Sequence, residues 1–405
     1  MTGISEGQKS QRETKVLVIG GGSTGTSILY YLARRGLVDS ILIERGQQIA
    51  SGQTSRSAAI LRTHYSNPTL VRMAAKSYKF FEDFPANVRG RKCGFKKTGL
   101  IVGADAGSEH GLRENHVMHR QLGIDSKSID YDEVKRIEPE LDPKIYSEIV
   151  YEPEAGYAEP STTASSFASA ASELGCKVLT DTNANHIKRT AGGYEVTTSG
   201  GTIHAEKIIL AVGVWFNQFV KMLNLNTFLI QPVRHPVCIF RRPQEYAGTR
   251  PIVFDFPRSS AFKPEGETDM NVSSLETIGG PVDPDNYNSN VSFDEISLFS
   301  ARVAQAFPLM AVKGKLGATF TGLYDNTPDE QPVIDEFSDE GFENLYCLVG
   351  LSGHGFKLSP EFGRIMSTIV CGEKFTDYDI SIFNKNRFRE GKLIKSNYHG
   401  VATIG

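Results

Sequence analysis

Cysteine is scarce in this sequence. Five residues among 405, Cys93, Cys176, Cys238, Cys347 and Cys371, form an odd, widely spaced set with no C-x-x-C pair. That pattern excludes a disulfide-stapled scaffold, a zinc ribbon and an iron–sulfur cluster held by cysteines. An excess of one charge is equally lacking: 44 Lys plus Arg stand against 47 Asp plus Glu, a formal net charge of −3. There is thus no electrostatic basis for a nucleic-acid or anionic-membrane partner. No apolar run approaches the ~18–20 residues of a membrane span, and Met1 to Thr14 carries no hydrophobic signal core. These absences predict a soluble, reduced, cytoplasmic protein without a membrane span. What is there is an ordinary globular balance, 40% hydrophobic and 22% charged residues. The length corresponds to two domains, or three, at about 150 residues each.

Residues 1–14 are polar and aperiodic, as expected of a flexible tail. Lys15-Val-Leu-Val-Ile19 then reads as a buried parallel strand, Ser27 to Arg35 as a helix stopped by Gly36, and Ser40-Ile-Leu-Ile43 as a second buried strand. This is a βαβ unit. Its turn carries Gly20-x-Gly22-x-x-Gly25, and Glu44 follows Gly25 by 19 residues at the end of the second strand. In that context the glycines form a dinucleotide fingerprint. Gly20 permits the tight turn, Gly22 lets backbone approach a pyrophosphate, and Gly25 lets helix and strand pack closely. Ser23 and Thr24 lie in this turn, and the N-terminus of the helix that follows offers unpaired N–H groups to the phosphates. Glu44 is placed to accept from a ribose 2′-hydroxyl and would repel a 2′-phosphate, which disfavours NADP.

Three further stretches suit a long nucleotide. Ser51-Gly-Gln-Thr-Ser-Arg-Ser57 offers small hydroxyl residues, Ser51, Thr54 and Ser55 among them. Ala211-Val-Gly213 and Gly350 to Gly355 are glycine-bearing strand ends. Several separate segments converging on one cofactor suit FAD better than NAD. Residues ~228–325, rich in β-branched and aromatic residues, predict an antiparallel sheet. Leu345 to Val349 predicts a strand and Ser359 to Cys371 a helix.

From Lys15 to Gly391 the chain resembles the D-amino-acid oxidase superfamily, in its sarcosine oxidase, dimethylglycine dehydrogenase and archaeal L-proline dehydrogenase branch. The fingerprint, Ser51 to Arg62, Val212 to Trp215, Tyr324 to Asp335 and Leu348 to Leu358 carry the resemblance. It implies an α/β fold: a discontinuous Rossmann-like FAD domain (15–90, 155–225 and 330–385) interleaved with an α+β substrate domain on a mixed or antiparallel sheet (91–154 and 226–329). It also implies oxidation of an amine C–N bond to an imine.

By residue type alone Arg62 and Lys357 read as surface charges. The resemblance makes them instead the two cations that grip a substrate carboxylate, Lys357 also touching the flavin. Tyr324 falls where the family places a tyrosine near the substrate; the other reading is a core tyrosine. Trp215, or simple packing in its place, lies along the cofactor pocket, with Arg45 beside Glu44 in the same set. Ala184 corresponds to the region that meets the adenine. Gly353, His354 and Phe356 lie beside the flavin with Gly350, Gly355 and Lys357, and a helix N-terminus after Gly355 would face the flavin N1–C2 carbonyl edge. The pattern His110, His116, His119 reads as a solvated helix, and no metal is expected.

Two departures from the family matter. Covalent members carry a flavin-linked cysteine two residues before the active-site tyrosine; Gly322 stands there, so non-covalent FAD is expected. Oxidase members carry a lysine over the flavin in the strand after Pro264, and no lysine occurs between Lys263 and Lys313. The implied activity is therefore dehydrogenation of a small amino acid, a sarcosine- or proline-like secondary amine, by hydride transfer to flavin, with electrons passed to an unidentified acceptor rather than dioxygen. Two other readings stand beside it: an NAD-linked dehydrogenase, and a flavin-binding electron-transfer subunit of a larger complex. The oligomeric state is left open.

Overall fold

The apolar segments assemble into two eight-stranded sheets and a small third one. A computed structural model describes residues 11–398. Strand Gln11–Ile19 lies at the centre of the first sheet, parallel to Ser40–Ile43 on one side and Gly201–Leu210 on the other. Lys177–Leu179 extends the parallel set beyond Ser40–Ile43. The far end of Gly201–Leu210 pairs in parallel with Phe342–Val349, and its near end is antiparallel to Gly193–Thr198. This is the parallel sheet expected of the continuous apolar runs, with an antiparallel margin.

The central strand begins earlier than the sequence suggested. Gln11 to Thr14 pair with Thr202 to Ala205, so the last four residues of the expected tail are a strand. Backbone pairing is indifferent to their polar side chains, and only Thr14 among them is buried. The first helix is also longer, Ser23–Arg34. Polar Ser23, Thr24, Thr26 and Ser27 obscured its first turn, yet all four are buried. It packs with helices Pro160–Glu173 and Gly355–Val370 over an aromatic core that includes Phe81, Phe84 and Phe167. The last of these helices starts at Gly355, not Ser359. Pro360 sits early enough in it that the missing N–H costs one bond rather than the helix.

The second sheet runs in the order Lys315–Asn326, Gln231–Arg241, Asp269–Ser274, Ser260–Glu265, Ile252–Asp255, Leu100–Ala104, Glu148–Glu152, Lys127–Ser128. Every neighbouring pair is antiparallel except Ile252–Asp255 against Leu100–Ala104. Ile60–Leu61 pairs with Gly156–Tyr157 in the small sheet. That pairing carries the chain from the nucleotide turn to Arg62. The fold is α/β, with a mixed parallel sheet beside a mostly antiparallel one.

Candidate active site

The fingerprint turn is held by close backbone contacts. A Cβ on Gly20, whose φ is +112°, would sit 2.3 Å from the Ala211 carbonyl oxygen, and one on Gly25 would sit 1.9 Å from the Gly20 oxygen. Gly25 is therefore a packing residue, as its place in the motif predicts. Helix Ser23–Arg34 has no side-chain N-cap and no acidic residue in its first turn. Its N-terminus opens into a groove of about 570 Å³ walled by Gly20, Gly22, Ser23, Thr24, Glu44, Arg45, Ser51 and Thr54. Ala184, Ala211, Gly213 and Trp215 line the same groove.

Glu44 turns into the groove by binding backbone. Its Oε2 accepts from the Gly21 N–H and its Oε1 from the Gly46 N–H, both at 2.7 Å. Arg45 lies over the Trp215 ring, 4.3 Å from its centroid, and pairs with Asp285 at 2.7 Å. The Trp215 Nε1–H and the Gln218 amide donate to the same carboxylate at 2.9 and 2.7 Å. Pro284 and Tyr287, flanking Asp285, also wall the groove. A loop between the two sheets is thus tied across it.

A second cavity, about 150 Å³, continues from the first. Ser23, Gln53, Thr54, Arg56 and Leu323 border both. It gathers Arg62, Tyr324, Gly353, Gly355, Phe356 and Lys357, residues nearly 300 positions apart in the chain. Arg62 and Lys357 are both buried, 3% and 8% exposed. Burial, and then the charge of Arg62, pulls the Lys357 ammonium well below its ordinary range. Its Nζ donates to the Gly353 carbonyl at 3.0 Å. Gly353 has a φ of +85°, and a Cβ there would meet the Tyr324 ring at 2.9 Å. Tyr324 is pushed up to about 12, mainly by burial, and keeps its proton.

Besides Gly25, three residues singled out in the sequence do not line either cavity. Ser55 lies on another surface hollow with Ser161 and Ser165. Gly350 packs on Thr327, whose Cγ2 would be 2.2 Å from an added Cβ. His354 is fully buried, 3.1 Å from the Tyr65 hydroxyl and 3.2 Å from the Glu330 carbonyl.

Others went unnoticed. Gln53 joins the strands around the site: its amide donates to Leu323 O at 3.1 Å, and its Oε1 accepts from the Val214 N–H at 3.0 Å. His235 stacks on Tyr324, centroids 4.2 Å apart and planes 12° apart, with Nε2 3.3 Å from the phenol oxygen. Nothing local marks either residue; only the strand register Tyr324↔Val233, His235↔Gly322 brings His235 over the tyrosine.

The histidine pattern also resolves differently. His110 is exposed, but His119 is buried and meets His64 and Glu152. His64 Nδ1 lies 2.8 Å from Glu152 Oε1. That is a direct hydrogen bond, shorter than the ~3.3 Å edge between ligands of a tetrahedral zinc ion.

The donor set fits FAD. The unfilled helix N-terminus suits a pyrophosphate, the Glu44 carboxylate a ribose, and the long groove opening onto a cationic cavity suits a nucleotide with its reactive ring at one end. The comparisons agree. The family described as "FAD dependent oxidoreductase", abbreviated DAO, matches residues 15–369. Monomeric sarcosine oxidase of Bacillus sp. (strain B-0618) is 26% identical over 385 residues, 92% of this chain and 95% of that one. N-methyl-L-tryptophan oxidase of Salmonella heidelberg (strain SL476) is 24% identical over 392 residues, 93% and 99% of the two chains. The crystal structure of L-proline dehydrogenase from P. horikoshii superposes with a TM-score of 0.86 at 25% identity, covering 95% of this chain and all of that one. No helix among the described residues is long and apolar enough to cross a membrane. The chain belongs to the DAO family of FAD-dependent oxidoreductases.

Proposed function

We propose that this flavoprotein dehydrogenates a small amino acid carrying a secondary amine, of the sarcosine or proline kind, with FAD bound non-covalently. One observation carries the reading: two buried cations, Arg62 and Lys357, converge on one small cavity. An anion between them favours the charged form of both groups, and a substrate carboxylate is an anion of matching size. An arginine fork gives bidentate geometry and a lysine adds a point charge.

The other walls set the remaining specificity. Val237, Phe254, Ala261 and Leu275 are apolar, and the cavity's volume suits a few-carbon amino acid rather than an indole side chain. Tyr324 and His235 add a polar edge beside these walls. Burial pulls His235 down to about 4, so its imidazole is neutral at pH 7 and accepts hydrogen bonds. With the Tyr324 O–H directed to His235 Nε2, the phenol oxygen is left to accept from the substrate amine. Bound FAD supplies the two-electron acceptor for the C–H bond next to nitrogen. The protein contributes orientation, exclusion of water and charge.

Gly322 supports non-covalent attachment, because no nucleophile stands at the position held by cysteine in covalent members. The test is a panel of sarcosine, L-proline, glycine and N-methyl-L-tryptophan assayed with an artificial dye acceptor, followed by acid precipitation. Turnover confined to the small secondary amines, with all yellow colour in the supernatant, is expected. Preference for the bulky substrate overturns the size argument, and colour in the pellet overturns non-covalent binding.

A further inference from the structure

Arg62 owes its position to a buried cluster that the reaction does not otherwise use. Its Nη1 donates to the backbone carbonyl of His64, and its guanidinium lies 4.3 Å from the centroid of the Tyr65 ring. The placement of His64 therefore decides where the Arg62 fork points. The His64 imidazole is fully buried and tied at both nitrogens: Nδ1 lies 2.8 Å from Glu152 Oε1, and Nε2 lies 2.6 Å from the Tyr398 hydroxyl.

The proton positions follow from the partners. Burial would raise the Glu152 carboxyl, but the His64 and His119 imidazoles beside it outweigh that and hold it low. Ionised, it only accepts, so His64 Nδ1 carries the hydrogen. Burial pulls His64 down to about 4, which leaves Nε2 as a lone pair at neutral pH. Tyr398 must then be the donor. Among the described residues its hydroxyl is the hydrogen-bond partner of that buried nitrogen, and a buried acceptor left without one is strongly disfavoured. Glu152 Oε2 accepts in turn from the Thr63 hydroxyl at 3.0 Å, and His119 Nδ1 lies 3.3 Å from its Oε1. The His119 Nε2–H donates to the Tyr65 carbonyl at 2.8 Å.

Tyr398 reaches the cluster from a segment remote in sequence. It is 3% exposed, stacks on His64 with centroids 5.9 Å apart, and meets Phe256 edge-on. Next to it, the Asn397 amide donates to Asn115 at 2.8 Å, and a Cβ on Gly111 would be 2.4 Å from the Asn397 carbonyl oxygen. The segment is seated between the helix Glu109–Gln121 and the strand that supplies Glu152.

We infer that Tyr398 is a positioning residue for the substrate carboxylate, acting through His64 and Glu152 to aim Arg62. This rests on the reading that Arg62 holds a carboxylate. The experiment titrates FAD-loaded enzyme with acetate, followed by the flavin absorption spectrum, and with methylamine as a probe lacking the carboxylate. Tyr398→Phe removes one hydroxyl and keeps the ring. It should weaken acetate about ten-fold, leave methylamine binding within two-fold, and retain FAD content. A role in packing alone would lower the melting temperature without that selectivity.

Arg62→Ala is the control for the underlying reading. If acetate weakens in Arg62→Ala but not in Tyr398→Phe, the inference is overturned and the carboxylate seat stands. If acetate is unaffected in both, the seat itself is wrong and the inference falls with it. Should Tyr398→Phe not fold, Glu152→Gln breaks the same chain of contacts from the other side of His64. It should show the same selective loss, and unchanged acetate affinity there also overturns the proposal.

Discussion

At the scale of single residues the site is an electrostatic argument. Lys357 and Arg62 are held close in a buried cavity, and the lysine responds by losing affinity for its proton. A carboxylate entering between them reverses that, since an anion favours the charged ammonium. Binding should therefore take up a proton at pH values between the depressed value in the free enzyme and the higher value in the complex, and affinity should fall as pH rises through that window. Calorimetric titration of acetate in buffers of different ionisation enthalpy measures the uptake directly; binding without proton uptake and with affinity independent of pH across the neutral and alkaline range would show that Lys357 is already charged. Arg62→Ala and Lys357→Ala should each weaken a carboxylate ligand by ten- to a hundred-fold, from ~1.5–3 kcal/mol per charge-assisted hydrogen bond. Arg62 should be the larger loss, because a guanidinium fork can hold both carboxylate oxygens whereas the lysine offers a single point charge. FAD content should not change. Equal loss of carboxylate ligands and simple amines would instead assign Arg62 to the fold.

At the scale of elements, the parts legible in the sequence are those whose constraint is local. Gly20 and Gly25 are forced by contacts within one βαβ unit, and continuous apolar runs announced the central strands. The helix start at Ser23 was missed because its first turn is built from small and polar residues and a glycine, which resemble a loop until tertiary packing buries them. Arg62, Lys357 and Tyr324 came from family resemblance, since no spacing in the chain connects them. Gln53, His235 and the His64–Glu152 pair came from neither, because each depends on strand register or on a contact across more than 80 residues. The loop around Asp285 is another such element. It ties the substrate-side sheet to Arg45, Trp215 and Gln218 over the nucleotide groove. Asp285 and Arg45 are each about two-fifths exposed, so solvent screening reduces the worth of the tie to about 1 kcal/mol. Asp285→Ala should accordingly speed FAD dissociation about five-fold, measured by the regain of flavin fluorescence on dilution. An unchanged rate would mean that the loop covers the groove without retaining the nucleotide.

At the scale of the whole molecule, the cavity lies where one sheet faces the other, so its chemistry depends on what each side contributes. The nucleotide-binding side supplies the glycine turns, Arg62 and Lys357. The antiparallel sheet supplies Val237, Phe254, Ala261, Ser273 and Ser274, and its one acidic wall residue is Asp325, with no lysine or arginine among its wall residues. Transfer of an electron to dioxygen is assisted by a fixed positive charge beside the developing superoxide. Oxidase relatives place a lysine on this side, whereas here none occurs from Pro264 to Val312. Lys263, just before that stretch, is buried and paired. Its Nζ is 2.6 Å from Glu265 and 4.5 Å from the centroid of the Tyr157 ring, and neither lysine nor glutamate lines the cavity. The two charges cancel locally, and their field at the cavity is that of a small dipole. Photoreduced enzyme should therefore reoxidise slowly in air and quickly with a dye, by a wide margin. Ser273→Lys, which places an ammonium on the cavity wall, should raise the oxygen rate without a matching rise in the dye rate. The comparison is made by stopped-flow recovery of the oxidised flavin band. Fast reoxidation of the unmodified enzyme in air would mean that Arg62 and Lys357 already supply the charge, and the assignment as a dehydrogenase would then give way to an oxidase.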